Sequence, residues 1–413
     1  MNLHRRESYR HLVIGNLDLV MSPGDKPVIL IFIGNYLPGY KAGGILRTII
    51  NTVDQLCGEF DFKIVTRDRD LGDDKPYANI RLNQWQQVGN AMVYYLSPHL
   101  SSLKDILNFL VSTPHHVLYL NSYFDPLTIK VLINRKIGRA IFKPVIVAPR
   151  GEFAWGSLKL KFPKKFVYIQ VARLFGIYKG VTWQASSELE AKDIAKVMKI
   201  KSEEIHIALD LPNRINPDQP SEVTFNSAPK NERFRIVFLS RIAREKNLDY
   251  ALRVLNKVNI KVVFDIYGPI EDTAYWKECQ KLISQLPSNV TVNYLGSVNP
   301  VEVIHIFSCY DLFLFPTAGE NYGHVIAESL ISGTPVLIST ETPWRNLQAD
   351  GIGWDIDLAQ IDSFVKRIED LALLSHNERF KKRAKIKSKI MERLLDPVVL
   401  ETNRQLFRKQ LLS

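Results

Sequence analysis

In the stretch "TAGENYGHVIAESLISGTPVL", residues 317–337, Glu320 and Glu328 stand eight positions apart with Gly323 between them. Upstream, "RIAREKN" supplies Arg241 and, five residues later, Lys246. Two fixed cations at the mouth of a helix suit a diphosphate, because side-chain charge, N–H donors and the positive end of the helix dipole all favour an anion. A solvated basic loop is the plainer reading of the same pair. Glu320 falls in a loop, Asn321, Tyr322 and Gly323 turn the chain, and a helix is expected from about Gly323. At 1.5 Å per residue, Glu328 then lies roughly 7 Å further along, so one extended ligand reaches both acids. Glu320 would accept hydrogen bonds from hydroxyls at one end. The N–H groups of Tyr322 and Gly323 would meet phosphate in the middle, and Glu328 would hold a second pair of hydroxyls. A sugar, a diphosphate and a ribose come in that order. Gly268, which closes the run "KVVFDIYG", either lets a flat base or a backbone approach closely or simply turns the chain.

Each of these groups follows a short apolar run, which raises the question of what places them there. From residue 28 the chain alternates runs such as "VILIFIG", "FKIVT", "AMVYYL", "HHVLYL", "KPVIVAP" and "GVTWQAS" with helical patterns. Strands rich in Val, Ile and Tyr with helices between them predict a parallel sheet covered on both faces. That series defines a first domain over 27–211, behind a basic leader at 1–26. The polar, proline-bearing segment 212–232 is expected to be a linker. A second series, "FRIVFLS", "KVVFDIYG", "VTVNYLG", "DLFLFPT" and "PVLIS", defines a second domain over 233–390. The basic helical end, 391–413, is expected to cross back to the first domain. Two doubly wound α/β domains facing a central cleft would bind ligands at the carboxyl ends of their strands.

The composition fits such a protein. With 413 residues the chain exceeds what one core usually supports. Apolar residues at 46% and charged residues at 23% exclude a disordered or fibrous chain. No apolar run approaches the roughly 20 residues needed to cross a bilayer, and the leader lacks the features of a secretion signal. Cys57, Cys279 and Cys309 show no metal-ligand spacing, which predicts neither disulfides nor zinc and fits a reducing cytoplasm. The net charge of +11 suggests acidic partners, whether nucleic acid, an anionic membrane surface or a phosphorylated small molecule. The Asp-x-Asp at 68–70 reads as a solvated loop rather than a metal site, and Asp355 and Asp357 read likewise.

The pattern "LFLFPTAGENYG" with Glu320 and Glu328, followed by "SGTPVL" and preceded by Arg241 and Lys246, resembles the donor site of family 4 of the retaining glycosyltransferases, which have the GT-B fold. "NYLPGYKAGGILRTI" resembles that family's glycine loop, and "APRGEF" and "TPWRNLQADGIGWDID" resemble segments of members that build bacterial polysaccharide and lipopolysaccharide. The resemblance implies a metal-independent hexosyltransferase that uses a nucleotide-diphosphate sugar as donor substrate and needs no cofactor. Gly43 and Gly44 would then approach the donor phosphates, Arg241 and Lys246 would neutralise the leaving diphosphate, Glu320 would hold the donor sugar and Glu328 the ribose. The segment where many members carry a cleft-facing histidine reads "HHVLYLNSYFDP" here, with His115 and His116 at the strand edge instead. Asn121, Ser122 and Tyr123 are therefore candidates on the acceptor side.

Arg150 and Glu152, directly after "PVIVAP", either reach toward an acceptor or form a loop ion pair. Between Phe153 and Ser187 the chain carries no acid but has Lys159, Lys161, Lys164, Lys165, Arg173 and Lys179 among aromatics. Either 155–179 makes peripheral contact with an anionic membrane at the inner face of the cell membrane, or it is a core helix with a solvated basic face. In the first case the acceptor is a lipid-linked sugar. A basic nucleic-acid-binding protein is the competing reading, but acids run through most of the chain and no nucleic-acid-binding motif is present. A GT-B-fold epimerase or phosphorylase competes within enzymes. Neither G-x-G-x-x-G nor G-x-x-x-x-G-K-[ST] occurs, which disfavours dinucleotide and P-loop chemistry.

Overall fold

The structure, a computed structural model, describes residues 25–137, 143–159, 162–213 and 233–412. Nearly all of the expected leader and linker lie outside the described residues. The chain divides into two compact units: Met1–Ala154 with Leu158–Arg214 and Val398–Ser413, and Trp155–Ser157 with Ile215–Pro397.

The first unit is built on eight strands: β1 (Val28–Phe32), β2 (Asp61–Arg67), β3 (Trp85–Val88), β4 (Ala91–Leu96), β5 (Val117–Asn121), β6 (Val145–Ala148), β7 (Thr182–Ala185) and β8 (Ile205–Ile207). Their order is β3-β4-β2-β1-β5-β6-β7-β8. All neighbours are parallel except β3, which runs antiparallel to β4 at the edge. Successive side chains of β1 feed opposite faces. Leu30 and Phe32 join Val65, Leu118 and Leu120 in one buried cluster, while Ile29 and Ile31 join Ile64, Val117 and Tyr119 in another. A strand buried on both sides has to be apolar throughout, which is why "VILIF" shows no alternation.

The last helix, Pro397–Leu411, belongs to this unit. It buries Leu406 and Phe407, with the Phe407 ring against Phe60, Phe62 and Tyr119. Arg404 and Arg408 both pair with Glu59 at 2.5 and 2.7 Å. The pair His115 and His116 is structural: a buried Nδ1 of His115 meets the Thr113 carbonyl, and Nδ1 of His116 accepts from the Val28 amide.

The second unit carries six parallel strands: β9 (Phe234–Leu239), β10 (Val262–Tyr267), β11 (Val290–Gly296), β12 (Leu312–Phe315), β13 (Val336–Ser339) and β14 (Gly353–Ile356). The order is β11-β10-β9-β12-β13-β14. The chain builds outward from β9 to β11, then returns and builds outward from β12 on the other side. The connections after β9 and β12 therefore leave the sheet in opposite directions and open a crevice at the carboxyl edge. In the first unit the same reversal falls between β1 and β5.

Candidate functional site

The two connections at the reversal in the second unit carry the residues singled out by type and spacing. After β9 the chain runs through Arg241 into a short 3-10 turn, Arg244–Lys246, and then the helix Leu248–Leu255. After β12 it runs through Glu320 to the helix His324–Ile331. The two are bound to each other. Glu245 O accepts from the Ala318 amide at 2.8 Å and from Thr317 Oγ1 at 2.9 Å, and Asn247 Nδ2 donates to the Pro316 carbonyl at 2.9 Å. Lys246 Nζ reaches Glu320 Oε2 at 3.0 Å across the gap, so the cation and the acid sit in one place although they stand 74 positions apart in the chain.

Arg241 lies beside them. It pairs with Glu245 at 3.0 Å and with Glu271. Burial opposes its charge, but Glu271 and Glu245, with Glu320 behind them, outweigh that and hold the guanidinium above its ordinary range. The loop bearing Glu320 is anchored from below: Ser339 Oγ donates to the Thr317 carbonyl, the Glu320 amide donates to the Glu341 carbonyl at 3.0 Å, and the Trp344 indole donates to the Tyr322 carbonyl. Gly323 takes φ +82° ahead of the helix, a left-handed conformation that favours glycine, and no side chain caps the helix there. Glu328, five residues into the helix, is nearly buried, as is Lys246. Asn321 is half-buried in the turn between them, and its Oδ1 has no hydrogen-bond partner.

Gly268 has a backbone reason to be glycine. At φ +134°, a Cβ there would stand 1.8 Å from the Ser240 carbonyl oxygen, so the ends of β9 and β10 meet through it. Glu245, Asn247, Glu271 and Trp344 escaped the sequence reading. Only Asn247 left a signal, since its φ of +60° is one that asparagine tolerates better than most residues.

In the first unit, Gly43 takes φ +67° and Gly44 opens the helix Gly44–Leu56. Thr48 of that helix donates to Asp210 at 2.8 Å. Asp210 also holds Arg150 Nη1 at 2.7 Å, and both partners are buried. Arg150 takes φ +58° and donates through Nε to Asn121 Oδ1 at 3.0 Å. Arg150 and Glu152 do not pair with each other, which corrects the loop ion pair. Glu152 instead accepts from Ser122 Oγ at 2.6 Å and from the Tyr123 and Phe124 amides at 2.5 and 3.2 Å. Burial pushes its carboxyl up to about 7 against those donors. Asn121 is buried with Nδ2 lacking a partner. Tyr123 is a correction: its ring is wholly buried, stacked on Tyr178 at 4.4 Å and against Phe153, so it is core rather than ligand-facing.

The Asp-x-Asp at 68–70 is not solvated either. Asp68 and Asp70 are buried; Asp68 pairs with Arg69 at 2.8 Å, and Asp70 accepts from the Tyr40, Lys41 and Leu71 amides. Asp70 thereby shapes the loop after β1. Asp355 is half-buried and accepts from the Asn346 and Leu347 amides, whereas Asp357, which accepts from the Ala359 amide, is exposed as expected of a solvated loop residue. No group of three or more His, Cys, Asp and Glu among the described residues is arranged to hold a metal ion. Among them, too, no helix is long and apolar enough to cross a membrane.

Residues 221–389 match the family model described as "Glycosyl transferases group 1". The chain superposes on HepE from Anabaena, solved in complex with UDP and glucose, with a TM-score of 0.65 and 14% identity over 93% of this chain and 99% of that one. WaaG, a glycosyltransferase involved in lipopolysaccharide biosynthesis, superposes with a TM-score of 0.60 and 15% identity over 91% and 98%. The fold is that of GT-B glycosyltransferases. In sequence, the chain is 22% identical over 293 residues to an uncharacterized 41.2 kDa protein in the cps region of Klebsiella pneumoniae, covering 68% of this chain and 77% of that protein.

Proposed function

We propose that the protein is a retaining glycosyltransferase that moves a sugar from a nucleotide-diphosphate sugar to a sugar or lipid-linked sugar acceptor during cell-surface polysaccharide synthesis. The observation that carries this reading is the Lys246–Glu320 pair at the reversal of the second sheet, beside Arg241 and a helix N-terminus, within the region that matches the family. HepE's bound UDP and glucose, and the cps-region relative, support the same substrate class and pathway type. Within the protein each cation is matched by carboxylates. A diphosphate replaces Glu320 as the partner of Lys246, and Glu320 turns to accept from the hydroxyls of the donor sugar. Glu328 accepts from the ribose.

Breaking the bond between the anomeric carbon and the diphosphate oxygen leaves positive character on the sugar and negative charge on the leaving group. Arg241, Lys246 and the helix at His324 stabilise that charge with groups already in place, so the reaction needs no metal. The acceptor oxygen attacks the anomeric carbon from the face the diphosphate leaves. Its proton passes to a departing phosphate oxygen, and the configuration is retained.

A thermal-shift screen against UDP-, GDP- and ADP-sugars tests the reading. A ligand bound only by the folded chain at about a hundred times its Kd adds about 2.7 kcal/mol of stability. One donor is expected to raise Tm, and Glu328→Ala is expected to abolish the rise. No rise with any donor contradicts the function, and an unchanged rise in the variant contradicts the ribose assignment. NMR of the product from the donor so found is expected to show the donor's own anomeric configuration.

A further inference from the structure

The helix Phe162–Leu174 is apolar on more sides than the protein covers. Its inner side buries Ile169 and Ala172. On an ideal helix, Phe162, Phe166, Val167, Val171 and Leu174 fall within one half of the circumference, and all five are exposed, Leu174 at 81% and Val167 at 61%. Phe162 and Phe166 stack at 5.6 Å, and Phe175, 62% exposed, continues the strip past the helix end. Gln170 and Arg173 fall in the same half, so the exposed strip carries one amide and one cation among its apolar side chains. Contiguous exposed apolar patches of this kind mark surfaces that bind something.

Charge says what. The margins of the strip are cationic. Lys164 and Lys179 are exposed, and the basic end of the helix Pro126–Lys136 lies beside the turn that follows, with Arg135 donating to the Lys179 and Gly180 carbonyls and Ile137 exposed at its end. No acid occurs from Phe153 to Ser187. An apolar strip rimmed by cations without acids complements an anionic lipid surface, where the side chains enter the acyl boundary and the lysines meet headgroups. A second copy of the chain would bring cations against cations. We infer that residues 162–179 form a docking face for an anionic bilayer surface, independent of the donor site. The face would hold the enzyme where lipid-linked acceptors reside.

The test is sedimentation of the full chain with vesicles of pure phosphatidylcholine and of phosphatidylcholine mixed with phosphatidylglycerol. Binding is expected only to the anionic vesicles, weakening as salt rises. Lys164→Gln with Lys179→Gln is expected to lower affinity about 30-fold, and Phe166→Gln with Leu174→Gln to abolish it. Both variants are expected to keep the wild-type thermal shift with the donor, which shows that they fold and separates this proposal from the donor site. No binding to anionic vesicles, equal binding to neutral ones, or binding untouched by both variants overturns it. So does a dimer in sedimentation equilibrium that the Phe166 and Leu174 substitutions dissociate.

Discussion

Lys246 is reachable by argument from one loop alone, but its partner is not. Arg241 and Lys246 announce an anion site by type and spacing, whereas the meeting of Lys246 with Glu320 needs β9 and β12 to be neighbours, a fact of topology. Glu152 shows the reverse case. Its position after a strand is visible in the sequence, but not that three donors from the Ser122–Phe124 turn surround it in a half-buried site. Its consequence for pH is definite in sign. The carboxyl is held at about 7 in the folded chain against 4.5 when unfolded, so the folded chain binds the proton more tightly. The resulting stabilisation is full below about 4.5, falls as pH rises toward 7, and is gone above it. Urea unfolding at pH 5 and pH 8 is expected to show wild type losing stability relative to Glu152→Gln on going to the higher pH. A difference independent of pH would contradict the burial argument.

At the scale of elements, strands buried on both faces were legible because each is a short run of uninterrupted apolar residues between helical patterns. Those missed have other compositions: β3 is an edge strand with two glutamines, β8 has three residues, and β14 contains Asp355. The Asp-x-Asp misled for a related reason. Polar residues in a loop read as solvated, yet Asp68 and Asp70 are buried because they hold loop amides and Arg69. Tyr123 misled because an aromatic just past a strand has no periodicity to show which way it turns. Gly268 is where an element-scale prediction is sharpest. The ends of β9 and β10 approach so closely that Gly268→Ala sets a side-chain carbon against the Ser240 backbone in an unfavourable φ. Denaturation is expected to show a loss of about 3 kcal/mol or more, and an unperturbed midpoint would mean the two strand ends are not in contact.

For the whole molecule, the division into two sheet-based units and the return of the last helix to the first unit follow from pattern and burial together. Leu406 and Phe407 complete a core that the first unit's own helices leave open beside Phe60 and Phe62. Two groups of cations matter at this scale: those at the reversal of the second sheet, which are matched by carboxylates, and those of the acid-free stretch from Phe153 to Ser187, where the net charge of +11 is locally expressed. The first of these decides whether the molecule is an enzyme of the proposed kind. Calorimetric titration of UDP, GDP and ADP into the full chain, alongside Lys246→Met, measures it directly. One of the three is expected to bind at a single site per chain, with affinity lowered about 10- to 100-fold in the variant, as the loss of a charge-assisted contact predicts. Failure of all three nucleotides to bind, or equal affinity in wild type and variant, would contradict a donor site built on Lys246.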